Sequence, residues 1–321
     1  MSDPDIAVLR MGTHGLTMAE YADKLRTALP DREIRLAKTP AEERELITSA
    51  SIATGSHLSE DLLASATDLR YFACTYAGYE HLPLAALEDR DVTVTNAAGI
   101  HAPNIAEGVI GQILVFARRL DEGWRRASRR EWRHFQAHEL AGSTVTIVGL
   151  GSIGTAVADR LEGFDVNTIG IRYSPEKGGP TDEVVGFDRD DVHAALARTD
   201  YLVLATPLTE TTRGLIGEEE LITLEATAVI INVARGEVID TDALISELQR
   251  QGIRGAALDV TDPEPLPEDH PLWTFENVHI TPHNAGHTPL HWDRMVDIVA
   301  ENVERIDETG AYTDLRNQVL P

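Results

Sequence analysis

The stretch STVTIVGLGSIGTAVADRL, residues 143–161, carries the pattern G-x-G-x-x-G. An apolar run (VTIV) stands directly before the glycines and a helical pattern (TAVADRL) directly after them, and this strand–turn–helix context gives the pattern its meaning. The first glycine makes the tight turn, the second lets a pyrophosphate approach the backbone, and the third lets the helix pack on the strand. Free N–H groups at the start of the helix attract the phosphates. We therefore predict a dinucleotide site, with a ligand-free glycine turn as the alternative. The predicted contacts are Gly149, Gly151, Ser152, Ile153 and Gly154.

The next predicted strand, within NTIGIRYSPEK (167–177), decides between the two nicotinamide dinucleotides. In an NAD site an acidic residue about 20 residues beyond the glycines binds the ribose 2′-hydroxyl. Arg172 stands where that acid is expected. A guanidinium binds a 2′-phosphate as a fork, whereas a carboxylate repels it. With Tyr173 beside it, and with Ser174 and Lys177 adding a hydroxyl and a charge, Arg172 predicts a preference for NADP(H). NAD(H) is also used if Arg172 only stacks on the adenine.

Short strands and helices alternate on both sides of this motif. Helical spacing is clearest in the apolar stripe of NIAEGVIGQILVFARRL (104–120) and in the final segment 289–309. The alternation predicts an α/β protein with parallel sheets covered by helices. Strands are predicted near residues 6–10, 33–37, 50–54, 69–75, 91–97, 168–172, 201–205, 228–232, 255–259 and 278–280.

The chain of 321 residues is long enough for two domains, and its net charge is −25. Its basic side chains are nearly all arginines, because Lys24, Lys38 and Lys177 are the only lysines. Dispersed carboxylates with so few lysines predict a halophilic, high-KCl cytoplasm, since about 1 M salt screens charges within about 3 Å. An acidic mesophilic protein is the alternative. This charge makes nucleic acid and anionic membranes poor partners.

Other features of the composition favour the cytoplasm. No segment approaches the ~18 consecutive apolar residues of a membrane span, and the N-terminus shows no secretory signal. A single cysteine, Cys74, forms no internal disulfide. The basic run WRRASRREWRHF (124–135) opposes the acidic trend. We expect it to pair with acidic surface, in this subunit or in a partner, in preference to nucleic acid.

Three polar side chains follow predicted strands in the second half of the chain. Arg235 lies in INVARGEVID, Glu264 in LDVTDPEPLPEDHPLW, and His283 in ITPHNAG. Open parallel sheets bind ligands beyond the carboxyl ends of their strands. A histidine held by a loop at such an end is placed to meet a ligand, although a surface histidine in a turn is the simpler interpretation of ITPHNAG alone.

At these residues the sequence resembles the D-isomer-specific 2-hydroxyacid dehydrogenase family. The resemblance covers nearly the whole chain and includes GLGSIG (149–154), ATPLTETTRGLI (205–216), NVARGEVID (232–240), LDVTDPEPLPEDHPLW (258–273) and ITPHNAG (280–286). YAGYEHLPLAAL (76–87) and VTNAAGIHAPNIAEG (94–108) extend it to the N-terminal part.

The resemblance implies two doubly wound parallel-sheet domains, with a Rossmann-type coenzyme domain at 100–286 inserted into a flavodoxin-like substrate domain formed by 1–99 and 287–321. It implies a homodimer and a catalytic set of Arg235, Glu264 and His283. It also implies substrate binding by the backbone of Tyr76, Ala77 and Gly78, together with Arg235. The further cofactor contacts that it implies are Thr206, Pro207, Thr212, Val233, Ala234 and Asp259. Tyr76, His57 and Trp292 are expected to set the size of the substrate.

These residue types suit the reversible reduction of a 2-keto acid to an (R)-2-hydroxy acid. The nicotinamide supplies a hydride, and His283 supplies the proton. Glu264, hydrogen-bonded to the far ring nitrogen, would fix the imidazole and favour its charged form. Arg235 would bind the substrate carboxylate and polarise the keto oxygen.

Three other interpretations are weighed against this one. His279, His283, His287 and His291 recur every four residues, but prolines and a glycine between them prevent a common helical face, so no metal site is predicted. A formate-dehydrogenase-like enzyme is less favoured because that group has a glutamine where Glu264 stands. A corepressor-like scaffold that senses dinucleotides without turnover is distinguished by an activity assay.

Overall fold

The computed structural model describes residues 4–13 and 15–320. Every predicted strand is present, with ends that differ from the prediction by at most two residues; two further strands, Glu183–Val185 and Gln318–Leu320, were not anticipated. The strands are β1 (Ile6–Val8), β2 (Ile34–Leu36), β3 (Ile52–Gly55), β4 (Tyr71–Cys74), β5 (Thr93–Thr95), β6 (Thr144–Val148), β7 (Asn167–Ile171), β8 (Glu183–Val185), β9 (Tyr201–Leu204), β10 (Val229–Asn232), β11 (Gly255–Leu258), β12 (Val278–Ile280) and β13 (Gln318–Leu320). The α-helices are α1 (Met18–Ala28), α2 (Pro40–Ser49), α3 (Glu60–Ser65), α4 (Leu84–Glu88), α5 (Ala102–Arg118), α6 (Leu120–Ser128), α7 (Ser152–Leu161), α8 (Arg189–Leu196), α9 (Glu218–Thr223), α10 (Thr241–Arg250) and α11 (His291–Thr309).

These elements form two units, each with its own sheet. The terminal unit comprises Met1–Ile100 and His287–Pro321, and the central unit comprises His101–Gly286. The first division lies one residue beyond the position that the resemblance implied, and the second coincides with it.

The central unit has a seven-stranded parallel sheet in the order β12-β11-β10-β9-β6-β7-β8. The first six strands in sequence follow the doubly wound order 3-2-1-4-5-6, with the switch point between β6 and β9. Alternate side chains of each strand enter opposite cores, because the side-chain period of a strand is two. Val145 and Ile147 pack with helices α5 and α7, whereas Leu202 and Leu204 pack with the helices on the other face.

The terminal unit has a sheet in the order β13-β5-β4-β3-β1-β2. Strands β1 to β5 are parallel in the flavodoxin-like order 2-1-3-4-5, which confirms the predicted doubly wound fold. β13 pairs antiparallel with β5, so this sheet is mixed at one edge, which the sequence pattern did not indicate. Helices α1 and α11 cover one face, and Trp292 of α11 stacks on Tyr21 of α1 at 4.6 Å between ring centroids.

Helix ends in both units follow side-chain chemistry that is visible in the sequence. Thr17, Thr39 and Asp240 each accept a hydrogen bond from a backbone N–H in the first turn of α1, α2 and α10 respectively, which satisfies a donor that the helix leaves open. α11 ends at Gly310, whose φ of +68° is in the left-handed region that glycine adopts at low cost. Among the described residues, no helix combines the length and the apolar composition that crossing a membrane requires.

Candidate active site

The glycine-rich turn has the geometry that its three roles require. Gly149 has φ of +96°, and a Cβ there would lie 2.6 Å from the carbonyl oxygen of Ala205. A Cβ on Gly154 would overlap the carbonyl oxygen of Gly149, so this glycine allows the first turn of α7 to approach β6. Gly151 has open space where its Cβ would be. The turn therefore leaves room at the N-terminus of α7 for a phosphate group, as a bound dinucleotide needs.

A cavity of about 580 Å³ lies beside this turn, at the carboxyl ends of β6, β7 and β9. That volume is ordinary for a small-molecule site. The lining residues include many of the predicted cofactor contacts: Gly149, Gly151, Arg172, Tyr173, Ser174, Lys177, Thr206, Pro207 and Thr212.

Two of these residues already have partners in the loops that shape the cavity. The Arg172 guanidinium donates a hydrogen bond of 2.6 Å to the carbonyl of Gly178. The Thr212 hydroxyl donates to the carbonyl of Pro207 at 2.6 Å and accepts from the N–H of Thr209 at 2.8 Å. Thr212 therefore closes the 207–212 turn. Its predicted contact with a pyrophosphate stays a prediction.

The expected hydrogen bond between His283 and Glu264 is present. Nδ1 of His283 lies 2.6 Å from Oε1 of Glu264, with both side chains partly exposed. Because an ionised carboxylate only accepts hydrogen bonds, Nδ1 carries a proton, and Nε2 is the nitrogen that exchanges one. His283 has φ of +51°, a conformation that a non-glycine residue keeps only where the surroundings impose it.

Asp259 holds that strained loop in place. Its Oδ1 accepts hydrogen bonds from the Thr281 hydroxyl at 2.5 Å and the Asn284 N–H at 2.9 Å. Its Oδ2 accepts from the Ala285 N–H at 2.9 Å, and its carbonyl oxygen accepts from the His283 N–H at 2.8 Å. Asp259 therefore shapes the histidine loop, a role that sequence reasoning missed. Its predicted contact with a nicotinamide carboxamide stays a prediction.

Arg235 lies at the end of β10, next to Val233 and Ala234. Buried Asn232 organises this turn, because its side-chain amide donates to the Arg235 carbonyl and accepts from the Ala234 N–H, both at 3.0 Å. Gly236 has no room for a Cβ against the backbone of Thr261, so the turn lies directly on the segment that leads to Glu264. The Arg235 side chain is exposed, and no hydrogen bond or ion pair joins it to Glu264 or His283 among the described residues.

A second cavity, of about 350 Å³, borders the His283–Glu264 pair. Its other walls are mostly apolar and include Leu266, Trp273 and Ile280. The glycine cradle, the adjoining cavity and the carboxylate-bound histidine thus lie at the carboxyl edge of the same parallel sheet.

Comparison with known proteins agrees with this arrangement. Residues 110–285 match the profile described as D-isomer specific 2-hydroxyacid dehydrogenase, NAD binding domain. The chain is 34% identical over 253 residues to a glyoxylate reductase of Thermofilum pendens, covering 77% of this chain and 74% of that protein. The chain belongs to the D-isomer-specific 2-hydroxyacid dehydrogenase family.

Solved structures similar to this chain include complexes with NAD and with NADPH. A D-isomer specific 2-hydroxyacid dehydrogenase from Xanthobacter autotrophicus, in complex with NADPH and MES, has 26% identity and a TM-score of 0.78, covering 99% of this chain and 98% of that one. A formate dehydrogenase from Staphylococcus aureus, in complex with NAD, has 25% identity and a TM-score of 0.72, covering 94% of each chain.

The predicted substrate loop follows β4 in the terminal unit. The carbonyl of Tyr76 accepts from the Ala97 N–H at 3.0 Å, and that of Ala77 accepts from the Asn96 side chain at 2.6 Å. Ala77 and Gly78 are exposed, as a ligand-binding loop requires. The expectation that Trp292 sets substrate size is wrong, because its side chain is fully buried against Tyr21.

The arginine run of 124–135 pairs partly with this subunit's own acids. Arg125 contacts Asp121 at 2.9 Å, and Arg126 is bonded to Glu122 and lies over the Phe135 ring at 4.8 Å. The histidines at four-residue spacing do not share a helical face: His279 lies in β12, His283 in a loop, and His291 at the start of α11.

Proposed function

We propose that the protein catalyses the reversible reduction of a 2-keto acid to the (R)-2-hydroxy acid. The 2.6 Å hydrogen bond between His283 Nδ1 and Glu264 Oε1 carries this proposal, because it leaves Nε2 as the acid/base. In the reductive direction, the residues of the Gly149–Gly154 turn would hold NAD(P)H, which would supply the hydride for C2. His283 Nε2 gives its proton to the keto oxygen and takes it back in the reverse reaction.

The other groups bind and orient the substrate. The Arg235 guanidinium donates two parallel hydrogen bonds to the substrate carboxylate and polarises the keto oxygen. The loop after β4 offers the backbone N–H groups of Tyr76, Ala77 and Gly78, which would bind a substrate carboxylate. Glu264 holds the imidazole ring in one orientation and in the tautomer that the reaction uses.

NADP(H) is the proposed preferred cofactor, with NAD(H) also accepted. The support is that Arg172 lines the cavity at the end of β7 together with Ser174 and Lys177, with no acid at the Arg172 position. A charge-assisted hydrogen bond contributes about 1.5–3 kcal/mol. Arg172→Asp should therefore lower the ratio of kcat/KM for NADPH to that for NADH by about ten- to a hundredfold. Lys38→Asp, an exposed change in the terminal unit, is the matched control and should leave the ratio unchanged.

A homodimer is the proposed assembly. Trp124 and Trp132 are 62% and 99% exposed on and just after α6, amid arginines on an otherwise acidic chain. Exposed indoles beside arginines are typical of protein contacts, and a second copy offers the complementary acidic surface. Light scattering on native protein should give the mass of a dimer, and Trp132→Glu should shift it toward the monomer.

The thermal stability of the protein is proposed to depend on salt, because the chain carries a large negative net charge. Self-repulsion at a net charge of −25 weakens as the Debye length falls from about 10 Å at 0.1 M to about 3 Å at 1 M. Thermal unfolding should therefore shift upward as KCl rises over that range. An unchanged Tm would favour an acidic mesophilic protein.

The deciding experiment is NADPH oxidation by purified protein in molar KCl with straight and branched 2-keto acids, with NADH in parallel. Turnover that exceeds background with at least one keto acid supports the proposal, and the best substrate reports the pocket's size. Formate oxidation with NAD⁺ instead would indicate the formate-dehydrogenase alternative. Folded protein that binds dinucleotide but turns over nothing would indicate a sensing scaffold.

A further inference from the structure

A histidine and two glutamates converge on the central unit away from His283. His193 lies in α8, and Glu219 and Glu220 lie in the first turn of α9, which packs against α8. One ligand atom from each of the three residues lies within 4.8 Å of the other two. Neither the dinucleotide site nor the proposed reaction uses any of these side chains.

The tautomer of His193 follows from a chain of hydrogen bonds. The Thr223 hydroxyl donates its single proton to the carbonyl of Glu219 at 2.8 Å. Its oxygen lies 2.7 Å from His193 Nδ1, so this contact requires Nδ1 to be the donor. In the neutral ring, Nε2 is therefore a bare lone pair.

That lone pair faces a carboxylate. Nε2 of His193 is buried, makes no hydrogen bond to any residue that the structure describes, and lies 3.4 Å from Oε1 of Glu220. A lone pair opposite a carboxylate oxygen is repulsive unless a cation stands between them. Either a proton on Nε2 or a metal ion resolves the contact.

We propose that His193, Glu219 and Glu220 bind a divalent transition metal of the zinc class, with water completing the coordination. Zinc bonds of about 2.0–2.2 Å in tetrahedral geometry place neighbouring ligand atoms about 3.3–3.6 Å apart, and the Nε2–Oε1 separation is 3.4 Å. Imidazole with carboxylates suits zinc, whereas calcium and magnesium prefer oxygen ligands alone.

The surroundings of the cluster match those of metal ligands. A metal-bound histidine donates its other ring N–H to an oxygen, as His193 does to Thr223. The second oxygen of Glu220 accepts the Gly217 N–H at 3.1 Å, which fixes its carboxylate. Arg189 is bonded to Glu219 and competes for that carboxylate, so its removal should favour the metal.

Such a metal would fasten two segments that border the cofactor cavity. Phe187 lines that cavity two residues before α8, and Thr212 lines it shortly before α9. The site therefore has a structural role that does not depend on which substrate is reduced. Its test is independent of the proposed reaction.

Calorimetric titration of chelator-treated protein with ZnCl₂, in the KCl buffer used for assays, tests the site. We expect one binding event that raises Tm and is reversed by EDTA. His193→Ala and Glu220→Gln should abolish it, and Thr223→Val should weaken it about 10- to 100-fold. Glu219→Gln should also abolish zinc binding, and because the Glu219 side chain is mostly exposed, this change should leave the stability of the metal-free protein unchanged.

Two controls separate this site from its alternatives. His283→Ala should bind zinc as the native protein does, because the catalytic pair is elsewhere, and Arg189→Gln should bind at least as tightly. Co²⁺ in place of zinc should give the visible absorption bands of tetrahedral coordination in the native protein and not in His193→Ala. Zinc binding that is unchanged in Glu219→Gln and His193→Ala, or absent from native protein, would overturn the proposal and leave a proton on Nε2.

Discussion

His283 and His193 belong to the same unit, and in each an oxygen partner holds Nδ1. Glu264 lies 2.6 Å from Nδ1 of His283, and the Thr223 hydroxyl oxygen lies 2.7 Å from Nδ1 of His193. The two sites differ in what surrounds Nε2. The His283 side chain is half exposed beside a cavity, whereas Nε2 of His193 is buried and faces Glu220.

The difference shows that a fixed tautomer does not by itself determine what a histidine does. An Nε2 that is open to a cavity can exchange a proton with a ligand, which is the requirement for acid/base catalysis. An Nε2 enclosed by carboxylates can satisfy them only with a cation. The partner on Nδ1 orients the ring in both cases, and the groups around Nε2 select the chemistry.

The largest expected effect is on kcat, which should fall when His283 is replaced and not when His193 is replaced. His283→Ala should lower kcat about 10²- to 10⁴-fold, the range that a positioned acid/base contributes, while dinucleotide binding persists. His193→Ala is the matched control and should retain native kcat at saturating cofactor. Steady-state kinetics with dinucleotide titrations on both variants measure this. Full activity in His283→Ala would remove the acid/base assignment.

Substitution of Glu264 or of Glu220 should affect different properties of the protein. Glu264→Gln keeps the size of the side chain but removes its charge, and loss of a charge-assisted hydrogen bond costs about 1.5–3 kcal/mol. We expect kcat to fall about ten- to a hundredfold while zinc affinity is unchanged. Glu220→Gln should lose zinc and keep kcat. If each change altered both properties, the two sites would be coupled and the comparison would fail.

The sheet cores could be predicted from the sequence because alternating apolar runs need only local information. β8 and β13 were not predicted; each is a short strand at the edge of its sheet, and neither has a buried residue that would mark it as part of the core. None of the residues of α6 is buried, so packing against the core of this chain could not be used to predict it.

The sequence predicted those residues of the site that have reactive side chains and directly follow a predicted strand. His283 and Glu264 stand beyond predicted strands, and the family resemblance linked them to Arg235. The structural roles of Asn232 and Asp259 were not visible, because their side chains bond to backbone atoms whose positions depend on the folded turn. The His193 cluster was missed because α8 and α9 are separated in sequence by β9 and a long loop.

The smallest expected effect is on stability, and it concerns His279, a third histidine in the central unit. His279 stacks on Phe116 at 4.5 Å between ring centroids, and burial lowers the pKa of its imidazole from the usual 6.5, with Arg125 lowering it further and Asp121 opposing. Protonation of His279 therefore favours the unfolded chain.

The contribution of neutral, buried His279 to stability is fully present above pH 6.5 and is lost as pH falls toward the lower folded pKa. One proton limits this slope to about 1.4 kcal/mol per pH unit. Melting curves between about pH 7.5 and about pH 5, on both sides of the usual histidine pKa, should show a shallower loss of Tm in His279→Gln than in native protein. His138→Gln, a change at an exposed histidine, should leave the native slope unchanged. Equal slopes in all three proteins would mean that His279 titrates as it does in the unfolded chain, and that its burial has no effect on the pH dependence of stability.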